Sequence, residues 1–327
     1  MAPLLALTAA CASLLYTPGS TAQEAPFGAP RVRARLLLDT AALAPGESTW
    51  GLLELEPQQG WHVYWRQPGD SGEPPRLTWE LPAGLTAGEL QHPAPELYRE
   101  GPLVQFIHPG AVGLPFRLSA GADFAPPPEG APAWKLEASA SWLVCKDACE
   151  FELESFELDL AWRAPDPNAP DPAPREPKVA SIAAAVAKLP LRLDPRDWSA
   201  TRSSDGSSWS FELGALPPAA EGRLPETART WRAFERAEFF PIVADCVPFG
   251  VPVPALATQA DSLSFTIAAV PPGPGSADAN LRPAGLLVLR GPEGLELALE
   301  LPPSDPSPPA PAPGDASAAP PSRSATF

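Results

Sequence analysis

The sequence predicts an all-β protein of two β-sandwich domains, joined by a Pro-rich linker and one short helix. Three observations predict it. Short runs of alternating apolar and polar residues recur between turn-forming clusters, the period-2 pattern of half-buried strands. Proline makes up 48 of the 327 residues, roughly three times its average usage, and its fixed φ and missing N–H break helices and place segments in turns, edges and linkers. Only one stretch of the chain carries convincing helical spacing.

Residues 4–16 are apolar but too short to span a bilayer, and Ser20-Thr21-Ala22 supplies the small residues of a signal-peptidase site; residues 1–22 therefore read as a signal peptide of an exported protein. Residues 23–163 form the first predicted sandwich. Its alternating runs 32–38, 49–56, 61–65 and 77–81 are separated by Pro45-Gly46, Pro68-Gly69-Asp70-Ser71-Gly72, Pro82-Ala83-Gly84 and Pro109-Gly110. Residues 135–144 and 156–162 alternate again, so they read as an antiparallel hairpin with Lys146-Asp147-Ala148 as its loop. Residues 164–190 are linker and helix: 164–177 is rich in Pro and Asp, then Val179, Ile182, Ala183, Val186 and Leu189 fall near helical spacing before Pro190 stops the run. Residues 191–301 return to strands at 209–213, 237–240, 262–268, 285–289 and 295–301, a second sandwich. Residues 302–327 are Pro, Ala and Ser with almost no apolar bulk, which predicts a disordered tail.

A net charge of −16 with no Lys/Arg cluster excludes nucleic acid, whose phosphates such a field repels. No stretch after the signal approaches 18 uninterrupted apolar residues, so the mature chain is expected to lack a transmembrane segment and to be soluble outside the cytoplasm. His62, His92 and His108 are scattered and lack zinc-site spacing, and they read as ordinary sandwich residues. A single Met, at the initiator position, excludes a Met-rich copper site. No phosphate loop, Gly-x-Ser-x-Gly or His-Glu-x-x-His occurs, so neither cofactor nor metal is expected. Glu150, Glu152 and Glu154 alternate on one strand as a solvated face.

The chemistry concentrates at Ser141-Trp142-Leu143-Val144-Cys145-Lys146-Asp147-Ala148-Cys149-Glu150. Residues facing each other across a hairpin have β-carbons about 4.5–5.5 Å apart, and a disulfide needs about 3.5–4.5 Å, so a small adjustment lets Cys145 and Cys149 bond or separate. As a structural staple the bridge would do little, since closing a loop of about five residues gives roughly 2 kcal/mol against about 5 kcal/mol for a loop of about a hundred. A short disulfide on a hairpin tip is also within reach of a partner thiolate; Lys146 favours the thiolate form and Asp147 opposes it. Thiol–disulfide exchange is thus favoured over a permanent bridge, with either cysteine open as the attacked one. The third mature cysteine, Cys246, sits in an apolar context and is expected to be buried and inert. In Gly60-Trp61-His62-Val63-Tyr64-Trp65-Arg66-Gln67-Pro68-Gly69-Asp70-Ser71-Gly72, Trp61 and Trp65 read as core residues. Tyr64, Arg66 or the following loop would shield the cysteine pair, with Trp142 supporting it.

These residues resemble a known family, the periplasmic N-terminal region of DsbD-type thiol:disulfide interchange proteins, including the suppressor-of-copper-sensitivity branch. Residues 60–72 are similar to the family's Gly-Trp-His-x-Tyr-Trp-x-x-Pro-Gly-Asp-x-Gly signature, Trp142-Leu143-Val144-Cys145-Lys146-Asp147-Ala148-Cys149 to its Trp-Leu-x-Cys-x-x-x-Cys element, and Phe239-Phe240-Pro241 to a motif of its second domain. The resemblance implies immunoglobulin-like domains and a Cys145/Cys149 pair that takes electrons from a membrane-embedded thiol–disulfide carrier and hands them to thioredoxin-like periplasmic proteins, in processes such as cytochrome c biogenesis or copper tolerance. The carrier is expected to be a separate protein. The rival expectation is a non-catalytic periplasmic binding or scaffold protein in which Cys145–Cys149 is a permanent bridge.

Overall fold

Residues 32–38 alternate inward Val32, Ala34 and Leu36 with outward Arg33 and Arg35, and this period forces an extended strand with one apolar face. The same logic shapes the chain throughout. The structure, a computed structural model, describes residues 29–166, 176–242, 247–259, 261–270 and 283–302. The expected signal peptide, the tail beyond 302, most of the linker and Cys246 lie outside the described residues.

The first eleven strands are β1 (Val32–Leu38), β2 (Ala42–Leu43), β3 (Ser48–Pro57), β4 (His62–Gly69), β5 (Arg76–Glu80), β6 (Leu85–Ala87), β7 (Glu96–Glu100), β8 (Leu103–His108), β9 (Val112–Ala120), β10 (Trp134–Cys145) and β11 (Cys149–Trp162). They form two sheets, in the orders β1-β3-β9-β6 and β2-β11-β10-β4-β8-β7, with β5 also on β10. Between the sheets lie Leu53, Leu55, Leu114, Phe116, Leu136, Ala140, Trp142 and Leu160. The run expected at 61–65 extends to Gly69, because the register of β4 on β8 shifts between Tyr64 and Gly69 and lets the strand continue past the irregularity. Gly69 (φ +92) is needed there, since a Cβ would overlap the carbonyl oxygen of Val104.

Helix α1 (Ala180–Ala187) lies where the spacing places it. Asp39 Oδ1 accepts from the backbone N–H groups of Lys178 and Val179, 2.7 Å each, and Ile182 and Ala185 bury against Leu52 of β3. Strands β12 (Leu191–Arg192), β13 (Trp198–Arg202), β14 (Ser208–Leu213), β15 (Arg236–Pro241), β16 (Leu256–Thr258), β17 (Leu263–Ala268), β18 (Gly285–Arg290) and β19 (Glu296–Leu301) make two further sheets, β12-β19-β18-β15 and β13-β14-β17-β16. They enclose a separate core in which Phe211 stacks on Phe265 at 4.7 Å. The protein is therefore all-β, with immunoglobulin-like stacking of sheets.

A third apolar cluster joins the two halves. Trp65 and Phe106 meet Phe240, with ring centroids at 6.1 and 5.0 Å, and Leu286 and Val288 complete the cluster. Around it Arg66 pairs with Glu300 at 3.3 Å, Gln67 Nε2 donates to the Ile242 carbonyl and Arg99 Nη2 to that of Gly250. From Arg31 onward the chain forms one compact unit.

Candidate functional site at the hairpin tip

β10 and β11 run antiparallel from Trp134↔Leu160 to Cys145↔Cys149, so the register sets the two cysteines face to face at the tip. They are bonded, with Cα atoms 4.1 Å apart. The loop is held by Lys146 N–H donating to the Ala148 carbonyl. The two cysteines sit in unlike surroundings: Cys145 is only 3% exposed, packed with Tyr64, Ile107 and Leu143, whereas Cys149 is an exposed residue.

Tyr64 forms the wall beside the bond. Its hydroxyl lies 3.9 Å from Cys149 Sγ, and burial, reinforced by Glu100 and Tyr98, pushes its pKa up to about 12. It is therefore a neutral phenol, able to donate, across the ordinary pH range. Gly72 (φ +102) leaves room for that ring, because a Cβ there would overlap it. The loop that carries Gly72 is fixed to β8: Asp70 Oδ2 accepts from Val104 N–H at 2.8 Å, and Gln105 Nε2 donates to Ser71 Oγ at 2.7 Å. The Pro-Gly-Asp-Ser-Gly segment thus seats Tyr64.

His62, read from the sequence as an ordinary sandwich residue, pairs opposite Cys145 in the ladder and packs edge-on to Tyr64 at 5.3 Å and against Tyr98 at 5.4 Å. Burial lowers its pKa, with Glu100 opposing. Its place was detectable in principle, since His62 and Tyr64 share one strand face in the residue 60–72 motif. Nothing local marks Tyr98 or Glu100. His92 and His108 lie buried and stacked on one another at 6.1 Å, His108 with its pKa lowered by burial to about 4.

The remaining candidates separate. Trp142 is buried and its Nε1 donates to Glu152 at 3.0 Å. Lys146 and Asp147 are exposed on the loop. Arg66 has Glu300 and the Trp65 ring as its partners, which places it on the junction between the halves. Trp65 is buried in the junction cluster and Trp61 lies under the Arg31 guanidinium. Two of the three glutamates of β11 require a correction, while Glu154 is exposed as expected. Glu152 accepts from Val32 N–H and Trp142 Nε1, and Glu150 pairs with Arg31 at 3.2 Å, so this is the partnered face of the strand. The solvent-facing side chains are Phe151 (63% exposed) and Leu153 (61%). Among the described residues no group of three or more His, Cys, Asp or Glu could hold a metal, and no helix is long and apolar enough to cross a membrane.

Residues 33–160 match the family model described as thiol:disulfide interchange protein DsbD, N-terminal. No curated protein matches the chain. Among solved structures the chain is similar to the N-terminal periplasmic domain of ScsB from Proteus mirabilis, at 19% identity and a TM-score of 0.50, over 83% of this chain and 92% of that one. A fainter likeness, at 10% identity and a TM-score of 0.22, is to the sporulation control protein Spo0M from Bacillus subtilis, over 67% of this chain and 77% of that one.

Proposed function

We propose that this protein shuttles reducing equivalents in the periplasm through Cys145 and Cys149, a reading supported by the match of residues 33–160 to the family model described as thiol:disulfide interchange protein DsbD, N-terminal. The observation that carries the reading is the asymmetry of the bridge, with Cys145 buried and Cys149 an exposed residue beside a phenol. An incoming thiolate attacks Cys149 Sγ, the Cys145–Cys149 bond breaks, and Cys145 leaves as a thiolate that takes up a proton. A second donor thiolate then attacks the donor's own sulfur in the mixed disulfide. Cys149 is released and protonated, the donor is oxidised to its disulfide, and the protein has gained two electrons and two protons. The reverse sequence reduces an acceptor. Tyr64 donates to the Cys149 sulfur as negative charge gathers there, and Trp142 supports the hairpin from beneath. Lys146 favours thiolate at the tip and Asp147 tempers it.

The donor in this reading is a membrane-embedded thiol–disulfide carrier and the acceptors are thioredoxin-like periplasmic proteins. The residue boundaries that go with it are a first sandwich over 23–163 bearing the chemistry and a second over 191–301 bracing it. Equilibration against glutathione buffers tests the proposal. A reduction potential above about −300 mV marks an exchangeable pair, while one well below it with no exchange marks a structural bridge in a scaffold protein.

A further inference from the structure

Among the described residues, the outer edge of β11 beside Cys149 has no strand paired to it. Non-hydrogen-bonded pairs in an antiparallel ladder have Cα atoms about 4.5 Å apart, against about 5.5 Å for bonded ones, so the 4.1 Å of Cys145–Cys149 marks the non-bonded class. Every second residue of β11 shares that class: Cys149, Phe151, Leu153 and Ser155 turn their N–H and C=O groups away from β10. The far end of the strand confirms the parity. Ala161 N–H and Arg163 N–H donate to the carbonyls of Ala41 and Leu43, on the side away from β10. β2 covers the edge only at Ala161 and Trp162, and among the described residues no strand pairs with the edge nearer the disulfide.

The protection of that stretch is selective. Exposed strand edges are ordinarily blunted by proline, lysine, other charged side chains, bulges or covering segments; residues 149–155 contain neither proline nor lysine, and their only charges are Glu150, Glu152 and Glu154. Phe151 and Leu153 are the two most exposed large apolar side chains of the described structure, two and four residues from Cys149. On the opposite face Glu150 and Glu152 have partners, but among the described residues no cation pairs with Glu154, whose pKa is raised by partial burial and by Glu152. A second copy laid antiparallel on this edge would bring acidic residues against acidic ones, which is unfavourable across a ladder. The complement is an extended segment that is apolar on one face and basic on the other.

We propose that residues 149–155 of β11 form a strand-docking edge for the protein that exchanges with Cys149, taking an extended segment with apolar side chains over Phe151 and Leu153 and a Lys or Arg against Glu154. This rests on the exchange reading above. Docking there lays the partner's backbone along the strand that ends at the reactive sulfur, and so orients the attacking thiol.

The test uses a reduced thioredoxin as probe, with dithiothreitol as the small-molecule control. Phe151→Ser with Leu153→Ser should slow reduction of the oxidised protein by thioredoxin at least tenfold and leave reduction by dithiothreitol within twofold; Glu154→Lys should slow the thioredoxin reaction about threefold. In a Cys145→Ser, Cys246→Ser protein trapped through Cys149 to a thioredoxin lacking its resolving cysteine, amide exchange at Phe151, Leu153 and Ser155 should slow at least tenfold relative to the same protein capped with mercaptoethanol. Unchanged amide exchange, equal slowing with both reductants, or a dimer dispersed by Leu153→Lys would overturn the docking edge. A wild-type bridge inert to dithiothreitol as well would overturn the exchange reading itself, and reduction by dithiothreitol but not thioredoxin would overturn the docking edge alone.

Discussion

The two halves of the protein spend their cores differently. Thr49, His62, His92, Gln105 and His108, the buried polar residues of the described structure, all belong to the first half. The core of the second is built from Trp198, Trp209, Phe211, Phe239, Phe265 and aliphatic residues around them. Burying a polar group with incomplete hydrogen bonding costs free energy, and the Nε2 atoms of His62 and His108 and the Nδ1 of His92 are buried without a hydrogen-bond partner among the described residues, as is the Nε1 of Trp198 in the second half. One half therefore holds the buried polar groups, with His62 opposite Cys145, and the other supplies apolar packing, joined to it through Trp65, Phe106 and Phe240. Reactivity and stability should accordingly be separable by mutation.

The sharpest break is Cys149→Ser. It should abolish exchange with a thioredoxin-like donor yet cost at most about 2 kcal/mol in urea unfolding, because so small a ring restrains the unfolded chain little. Large destabilisation in a wild type that shows no exchange would make the bridge structural. The mirror experiment is Phe211→Ala, which empties a fully buried ring site stacked on Phe265. It should cost about 3–5 kcal/mol while the exchange rate per folded molecule stays the same; a matching fall in rate would show that the second half shapes the site.

Acid should weaken the first half selectively. His108 has a folded pKa of about 4, lowered by burial from 6.5, so the unfolded chain binds the proton first. Its contribution is intact above pH 6.5 and is lost as pH falls towards 4, on the order of 3 kcal/mol across that window. His92, lowered well below 6.5 by burial, His108 and Arg66, acts in the same direction. Unfolding midpoints at pH 7 and 4.5 should converge in His108→Phe relative to wild type, and an unchanged pH slope would assign the acid sensitivity to carboxylates. The smallest effect is expected from Tyr64→Phe. Loss of one hydrogen bond worth about 1 kcal/mol predicts a five- to tenfold slower exchange in stopped flow, with stability nearly unchanged.

What the sequence disclosed follows the range of the interactions involved. The β10–β11 hairpin and its cysteine pair were legible because strand period, turn residues and register are all local. β8 was not, since Val104 to His108 is buried on both faces, the second of them against Phe240 and Phe249 of the other half, and alternation vanishes when neither face meets water. β9 was hidden by Pro115 within it. The orientation of Glu150 and Glu152 was inverted in the sequence reading, because the groups that draw them inward, Arg31 and the Val32 amide, lie about 120 residues away. Arg66 was likewise assigned to the cysteine pair, and its partner Glu300 is 234 residues distant.

One consequence of the hairpin register concerns mechanics. The bridge joins residues four apart in sequence, and the ladder below it runs through eleven further pairs, from Val144↔Glu150 down to Trp134↔Leu160. Cutting that bond frees almost no slack. Oxidised and reduced molecules should superimpose, so the redox state is stored as reactivity at a point and not as a change of shape. A partner that must tell the two states apart has no lever to feel for, and has to test the sulfur itself.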